Sequence, residues 1–253
     1  MSTTPIPLML RSLLLSYMAS QYEDLHGQAA REGWDHERFL RLLCERELQH
    51  RAERRTARLL RDARLPEGKS LAALDQDRLP ARVRRQLAAL LDGGFVDRAE
   101  NVLAFGLPGR GKTHLCCAVA QELILTQGRR VYFTPAVNLV QHLLAAKRDL
   151  RLEAALRKLD AFDLIVLDDI GYIQQSREEM EVLFAFFAER YERRSLMITS
   201  NLVFSEWDKI FKDPMTTAAA IDRLVHHSII IEMDGTSYRM EQAKSKKHSE
   251  KGA

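Results

Sequence analysis

Apolar residues recur in two different rhythms along this 253-residue chain, and the rhythm changes near residue 65. Before that point every pattern is helical. One helix is predicted over 7–19 and a break at Gly33-Trp34-Asp35. A long helix follows from His36 to about Asp62, with Phe39, Leu40, Leu43, Leu48, Leu59 and Leu60 forming its apolar stripe. Leu65-Pro66-Glu67-Gly68-Lys69 reads as a linker, because Pro and Gly interrupt the helical period. Beyond it, a helix over 81–91 ends at Gly93-Gly94, and short continuous apolar runs then alternate with helical stretches. Strands are predicted at 101–105, 130–134, 163–168, 195–200 and 228–233. Helices are predicted at 112–127, between 136 and 159, and at 176–193, 205–211 and 216–226. Such alternation implies an α/β fold, a parallel sheet covered by helices on both faces. Three parts are expected: a helical module over 1–64, an α/β domain over 65–240, and a polar, basic tail over 241–253 with the composition of a disordered segment. No internal repeat interrupts this order.

A hydrophobic content of 46% supports a substantial core, while 38 basic against 35 acidic residues leave a net charge of only +3 and identify no polyanionic partner. The distribution says more. Arg46, Arg51, Arg54, Arg55, Arg58, Arg61 and Arg64 lie within nineteen residues, opposed by Glu47, Glu53 and Asp62. Arg51, Arg54, Arg55 and Arg58 are therefore candidate DNA contacts, since neutralising phosphates releases counterions. A solvated face laced with i,i+4 pairs fits the same residues, and spacing leaves both readings open. Cys44, Cys116 and Cys117 have no metal-ligand or disulfide spacing and read as buried, reduced thiols. The apolar stretch 6–17 is broken by Arg11 and lacks a cleavage site, so no signal peptide or membrane span is expected and a cytoplasmic location follows. His114, His226 and His227 lack companions at ligand spacing and read as surface or packing residues. Trp34, Trp207, Phe184, Phe186, Phe187 and Tyr191 read as core.

The chemistry is concentrated in Gly106-Leu107-Pro108-Gly109-Arg110-Gly111-Lys112-Thr113, a GxxxxGK[ST] loop between a predicted strand and a predicted amphipathic helix. Glycines let several backbone N–H groups turn inward on phosphates, and the helix start adds its positive dipole end. Lys112 is placed to reach the β and γ phosphates of ATP, and the Thr113 hydroxyl to ligate Mg²⁺. The nucleotide-contacting segment is taken as Gly106 through His114.

A second signal is Asp163-Leu164-Ile165-Val166-Leu167-Asp168-Asp169, an apolar strand ending in two carboxylates, the Walker B pattern. Ligands of parallel sheets collect beyond the carboxyl ends of the strands. Asp168 is thus assigned to Mg²⁺, and Asp169 to orienting or deprotonating the attacking water. At the same edge Ser200-Asn201 follows an apolar strand; Asn201 could sense the γ-phosphate or simply cap a helix. Arg223 could pair locally with Asp222 or Glu232, or reach a neighbouring subunit's nucleotide as an arginine finger.

Together GLPGRGKTHL, DLIVLDDIGY, the ITSN strand end and AAAIDRLVHHS resemble the IstB family, ATPase helpers of insertion-sequence transposition within the AAA+ superfamily and related to DnaC helicase loaders and DnaA initiators. The resemblance spans about 65–240, and residues 173–201 are especially similar. It implies a P-loop three-layer fold with strand order 5-1-4-3-2, Asn201 as sensor 1 and Arg223 as the finger acting across a subunit interface. The insert at 135–159 matches in position the extra helix of the initiator and loader clade; Lys147, Arg148 and Arg151 there are candidate DNA contacts. The resemblance further implies a bacterial protein that assembles head to tail on duplex DNA, as a filament or ring, and recruits an IstA-like transposase. A DnaC-like helicase loader is the alternative, and a nucleotide kinase a third reading. Two departures stand out. The second Walker B acid is Asp169 rather than Glu, which implies slow hydrolysis, and no helical lid is expected after Met233, with Arg239 a doubtful sensor 2.

Overall fold

A computed structural model describes residues 4–172, 176–202 and 224–234. The chain divides into two compact units, 1–58 and 59–253. The first holds α1 (Ile6–Ser12), α2 (Ser16–Glu32) and most of α3 (His36–Ala63). Where one helix was expected over 7–19 there are two, separated by a turn in which Leu14 takes a left-handed conformation (φ 60°). Met18, Leu25 and Leu43 form the small core, flanked by Tyr22, Trp34 and Phe39. Glu47 is buried with them and accepts from the Met18 N–H at 2.8 Å and from Arg51 Nε at 2.7 Å. Cys44, expected to be buried, is exposed. It neighbours the core position Leu43 in sequence, and a 100° step along the helix turns it outward.

The second unit contains α4 (Ala81–Asp92), α5 (Gly94–Asp97), β1 (Asn101–Phe105), α6 (Lys112–Gln127), β2 (Val131–Pro135), α7 (Ala136–Arg148), α8 (Leu152–Asp160), β3 (Leu164–Asp168), α9 (Arg177–Arg190), β4 (Ser195–Ser200) and β5 (Ser228–Glu232). The five strands form one sheet of order β2-β3-β4-β1-β5, every pair parallel, which is the expected 5-1-4-3-2. Successive side chains point to opposite faces. Leu103, Phe105, Ile165, Leu167, Leu196 and Ile198 therefore pack with α7, α8 and α9, while Val102, Ala104, Leu164, Val166 and Met197 pack with α4 and α6. Strands covered on both faces have no polar alternation, which explains the uninterrupted apolar runs in the sequence.

Three local features differ from expectation or sharpen it. The helix α6 is buried nearly all round, with Leu115, Cys116, Cys117, Ala118, Val119 and Ala120 all inside, rather than amphipathic. Burial in this apolar setting pushes the Cys117 thiol up to about 12, so it stays protonated. The last turn of α3 contributes Leu59 and Ala63 to the second unit's core, five residues or so before the Pro66 break. The helix α9 starts on a capping box, with Ser176 and Glu179 satisfying each other's backbone N–H. Predicted helices over 205–211 and 216–226 lie, apart from Leu224, Val225 and His226, outside the described residues.

Arg190, at the end of α9, is 2% exposed and donates to the carbonyls of Leu159, Phe162 and Ser195, each at 3.0 Å. It ties the ends of α8 and α9 to the start of β4, and burial lowers its pKa to about 10, still charged at neutral pH. Arg190→Ala should destabilise the protein by about 3–5 kcal/mol in chemical denaturation, because three carbonyls lose a charged donor. Arg193→Ala, on an exposed pair with Asp160 and Glu189, should cost under about 1 kcal/mol.

Glu47 sets an acid limit on the helical unit. Burial pushes its carboxyl up, but the Met18 N–H and Arg51 outweigh this and hold it below the ordinary carboxylate value. A depressed folded pKa contributes stability above the unfolded pKa that is lost as pH falls through the folded one. Exchange of the Met18 amide hydrogen should therefore accelerate, relative to intrinsic rates, only as pH falls below the ordinary carboxylate range. Glu47→Gln should show fast exchange already at neutral pH.

Candidate functional site at the carboxyl edge of the sheet

The central strands β3, β4 and β1 lie side by side, so their carboxyl ends bring three sequence-distant segments together. The segment leaving β1 is the glycine loop. Gly106 (φ 149°), Gly109 (φ 82°) and Gly111 (φ 87°) all have positive φ, and a Cβ on Gly106 would lie 2.5 Å from the Met233 carbonyl oxygen. That close approach admits only glycine. Met233 leaves the neighbouring strand β5 and donates its N–H to the Phe105 carbonyl at 2.7 Å, so β5 seats the loop directly. Lys112 and Thr113 open α6. The Lys112 ammonium is nearly buried and donates to the carbonyls of Gly106 at 2.6 Å and Leu107 at 3.2 Å.

Asp168 ends β3 opposite this helix start. Its Oδ1 accepts from the Thr113 hydroxyl at 2.8 Å and from the Thr199 hydroxyl at 2.6 Å. The register pairs Leu167 with Ile198, which sets Thr199 beside Asp168 on the next strand. Thr199 Oγ1 also accepts the Asp169 N–H at 2.9 Å. Asp169 is exposed and left-handed (φ 56°), so the chain turns sharply after the first carboxylate. Asn201, just past β4, has its Oδ1 buried without a hydrogen-bond partner among the described residues, and it packs against Gly171.

This donor set fits a magnesium nucleotide. A carboxylate and a hydroxyl supply hard oxygen ligands, the ammonium of Lys112 lies in the adjacent loop, and the backbone N–H groups at the start of α6 meet anionic oxygens. The buried amide oxygen of Asn201 is a polar group awaiting a donor, as a water or ligand at that edge would supply.

Not every loop residue faces this way. Arg110 donates to the Met233 carbonyl at 3.2 Å and lies 3.7 Å from Asp234, while His114 Nε2 lies 3.0 Å from the Ser70 carbonyl. Leu107 and Pro108 are exposed on the loop. Arg223 and Arg239 lie outside the described residues. Two contributions were missed by sequence reading. Thr199 is inside the ITSN motif but is recognisable only through the β3–β4 register, and Met233 had no signal at all because its backbone does the work.

Among the DNA-contact candidates, Arg51 is held by Glu47 and donates to the Leu14 carbonyl at 2.7 Å. Arg54, Arg55 and Arg58 are exposed and make no ion pair among the described residues; at three- and four-residue spacings they share a helix face. Lys147 pairs with Glu181 at 2.6 Å, whereas Arg148 and Arg151 are exposed without such a pair among the described residues. His226 and His227, expected to stand without companions, meet Glu192, the ligand atoms of all three lying within 4.8 Å of one another at the surface. The sequence distance between Glu192 and the histidines concealed that cluster.

The family model of IstB-like ATP-binding proteins matches residues 8–247. An insertion-sequence ATP-binding protein of Sinorhizobium fredii is 45% identical, over 95% of this chain and 81% of the relative. An insertion sequence IS21 ATP-binding protein of Pseudomonas aeruginosa is 36% identical, over 94% of this chain and 89% of the relative. In fold, the chain is similar to the DnaC helicase loader (TM-score 0.52, 18% identity, 60% of this chain and 89% of that one). It is likewise similar to AMPPCP-bound DnaA from Aquifex aeolicus (TM-score 0.55, 19% identity, 72% and 56%).

The seating of the glycine loop on β5 is directly testable. Gly106→Ala should destabilise the protein by about 2 kcal/mol or more in chemical denaturation, since its φ and the Met233 carbonyl both oppose a Cβ. A stability equal to the unsubstituted protein would show that β5 does not press on the loop.

Proposed function

We propose, from the premise that this chain belongs to the family of IstB-like ATP-binding proteins, that it is an ATP-dependent DNA-binding AAA+ ATPase. On this reading it assembles head to tail on duplex DNA, as a filament or ring, and recruits and stimulates the transposase of its insertion sequence. The observation that carries the reading is the Asp168 carboxylate bridging the Thr113 and Thr199 hydroxyls beside the glycine loop. A magnesium-bound ATP supplies a γ-phosphoryl group activated for displacement by water. Lys112 and the N–H groups of the loop and α6 bind and orient its phosphates, and Thr113 with Asp168 fixes the metal's oxygen ligands. Asp169 accepts the proton of the attacking water or orients it; being one methylene shorter than Glu, it makes hydrolysis slow. Asn201 senses the γ-phosphate, and Arg223 completes the site of an adjacent protomer.

The helical module, residues 1–64, is the proposed DNA and partner-binding part, and the ATPase domain spans 65–240, followed by the basic tail over 241–253. Exposed Arg54, Arg55 and Arg58 support a phosphate-facing helix more than a face neutralised by i,i+4 pairs, since those three have no acidic partner among the described residues. No helix of the described residues is long and apolar enough to cross a membrane; action on DNA in a bacterial cytoplasm is part of the proposal.

Electron microscopy and sedimentation with duplex DNA, with and without ATP and Mg²⁺, test this reading. The unsubstituted protein should polymerise only with nucleotide, and Lys112→Ala should remain unassembled. Asp169→Ala should lower hydrolysis by roughly a hundredfold or more, yet prolong the lifetime of the assembly. A monomer at saturating ATP and DNA would overturn the proposal, as would capture of a replicative helicase in place of the transposase.

A further inference from the structure

Strand β2 is the outermost strand of the described sheet, and a groove lined by its residues Val131 to Pro135 runs beside it. Two adjoining hollows, about 420 and 660 Å³, share Arg64, Tyr132 and Phe162 as lining. Tyr132 and Phe162 stack at 5.1 Å between centroids. The Arg64 guanidinium lies 5.7 Å from the Tyr132 centroid and that of Arg130 5.6 Å from the Phe162 centroid. Two cations thus flank a ring pair. Both guanidiniums are exposed and make no ion pair or hydrogen bond among the described residues, and neither does the Lys158 ammonium at the groove's far wall. Asp62, which also lines the groove, lies 3.7 Å from Arg61, and Asp163 accepts from Arg194 and from the Arg130 backbone N–H, so cations outnumber acids along the lining.

We propose that this groove is a second contact for duplex DNA, holding the phosphodiester backbone through Arg64, Arg130 and Lys158. A guanidinium positioned over an aromatic ring keeps its N–H edges available for phosphate oxygens, while the ring limits its wandering. With a guanidinium over each of the two rings, the groove presents cations rather than base-edge donors and acceptors, and so reads backbone rather than sequence. An acidic protein segment would meet the same charges and could also use the apolar lining of the larger hollow, Phe133, Leu139 and Leu159, but the three cations are spread along the groove, which suits a continuous run of phosphates. The inference rests on the DNA-binding reading above and adds to it a site distinct from the candidate contacts Arg51, Arg54, Arg55, Arg58, Lys147, Arg148 and Arg151.

The test is fluorescence anisotropy of a labelled duplex with the full chain, ATP and Mg²⁺, titrated over a range of salt concentrations. Arg64→Ala combined with Arg130→Ala should weaken binding roughly tenfold and lower the slope of log affinity against log salt by about two. Arg64→Lys with Arg130→Lys should restore the slope, because charge and not packing sets it. Binding of a fluorescent ATP analogue by both variants should be unchanged. If the unsubstituted protein binds duplex while the double alanine variant keeps its affinity and slope, the groove assignment is wrong and the functional reading stands. If affinity falls with an unchanged slope, the arginines act structurally and the assignment is equally overturned. Stronger dependence on these arginines for an acidic peptide than for duplex would assign the groove to a protein partner. Absence of any duplex binding by the unsubstituted protein would remove both proposals together.

Discussion

One carboxylate oxygen holds the candidate site together. Asp168 Oδ1 receives the hydroxyls of Thr113 and Thr199, and so joins the first turn of α6 to the ends of β3 and β4. In a parallel sheet the carboxyl ends of all strands lie on one edge, and the order β2-β3-β4-β1-β5 makes β4 the spacer between the loop-bearing strand and the acid-bearing strand. The separation between Lys112 and Asp168 is therefore set by one intervening strand, not by the chain between them. A change of strand order would leave every motif intact and scatter the site.

The glycine loop obeys a second constraint from its other side. The outer strand β5 delivers the Met233 carbonyl to within contact of Gly106, and the same carbonyl accepts from Arg110. The loop is thus gripped between a backbone on one flank and a carboxylate-hydroxyl cluster on the other. Backbone N–H groups that are held this firmly serve well for anions, because little reorganisation is needed when charge arrives. The same architecture confines α6, whose start carries the site while most of its body, Leu115 to Ala120 with Leu123 and Ile124, is buried.

The charge pattern of the molecule follows a different logic. Many of its arginines are consumed by structure: Arg190 bonds three carbonyls in the interior, Arg51 holds Glu47, and Arg193 and Arg194 meet Asp160 and Asp163. Among those left exposed without acids among the described residues are Arg54, Arg55 and Arg58 on one face of α3, Arg148 and Arg151 around the α7–α8 connection, and Arg64 and Arg130 beside β2. A net charge of +3 hides this sorting, since paired arginines count as much as unpaired ones in a sum.

Much of the fold was legible in the residues themselves. Uninterrupted apolar runs such as Leu164–Leu167 mark strands buried on both faces, and Gly106, Gly109, Gly111 and Lys112 specify a phosphate loop whatever surrounds them, because local backbone chemistry dictates those residue types. The sequence-distant pairings were not legible from periodicity. Thr199 beside Asp168, Met233 against Gly106, Arg190 under three carbonyls, and Arg64 with Arg130 astride Tyr132 and Phe162 all depend on strand order and register. Periodicity reports which face of an element is apolar but not which element lies next to it; that is decided by how the two apolar faces of one sheet are covered at once, a property of the whole chain. The sequence by itself determined the elements and the chemical vocabulary of the loop and the acids. Only the tertiary structure decided which side chains meet, because contact between residues far apart in the chain is an outcome of packing.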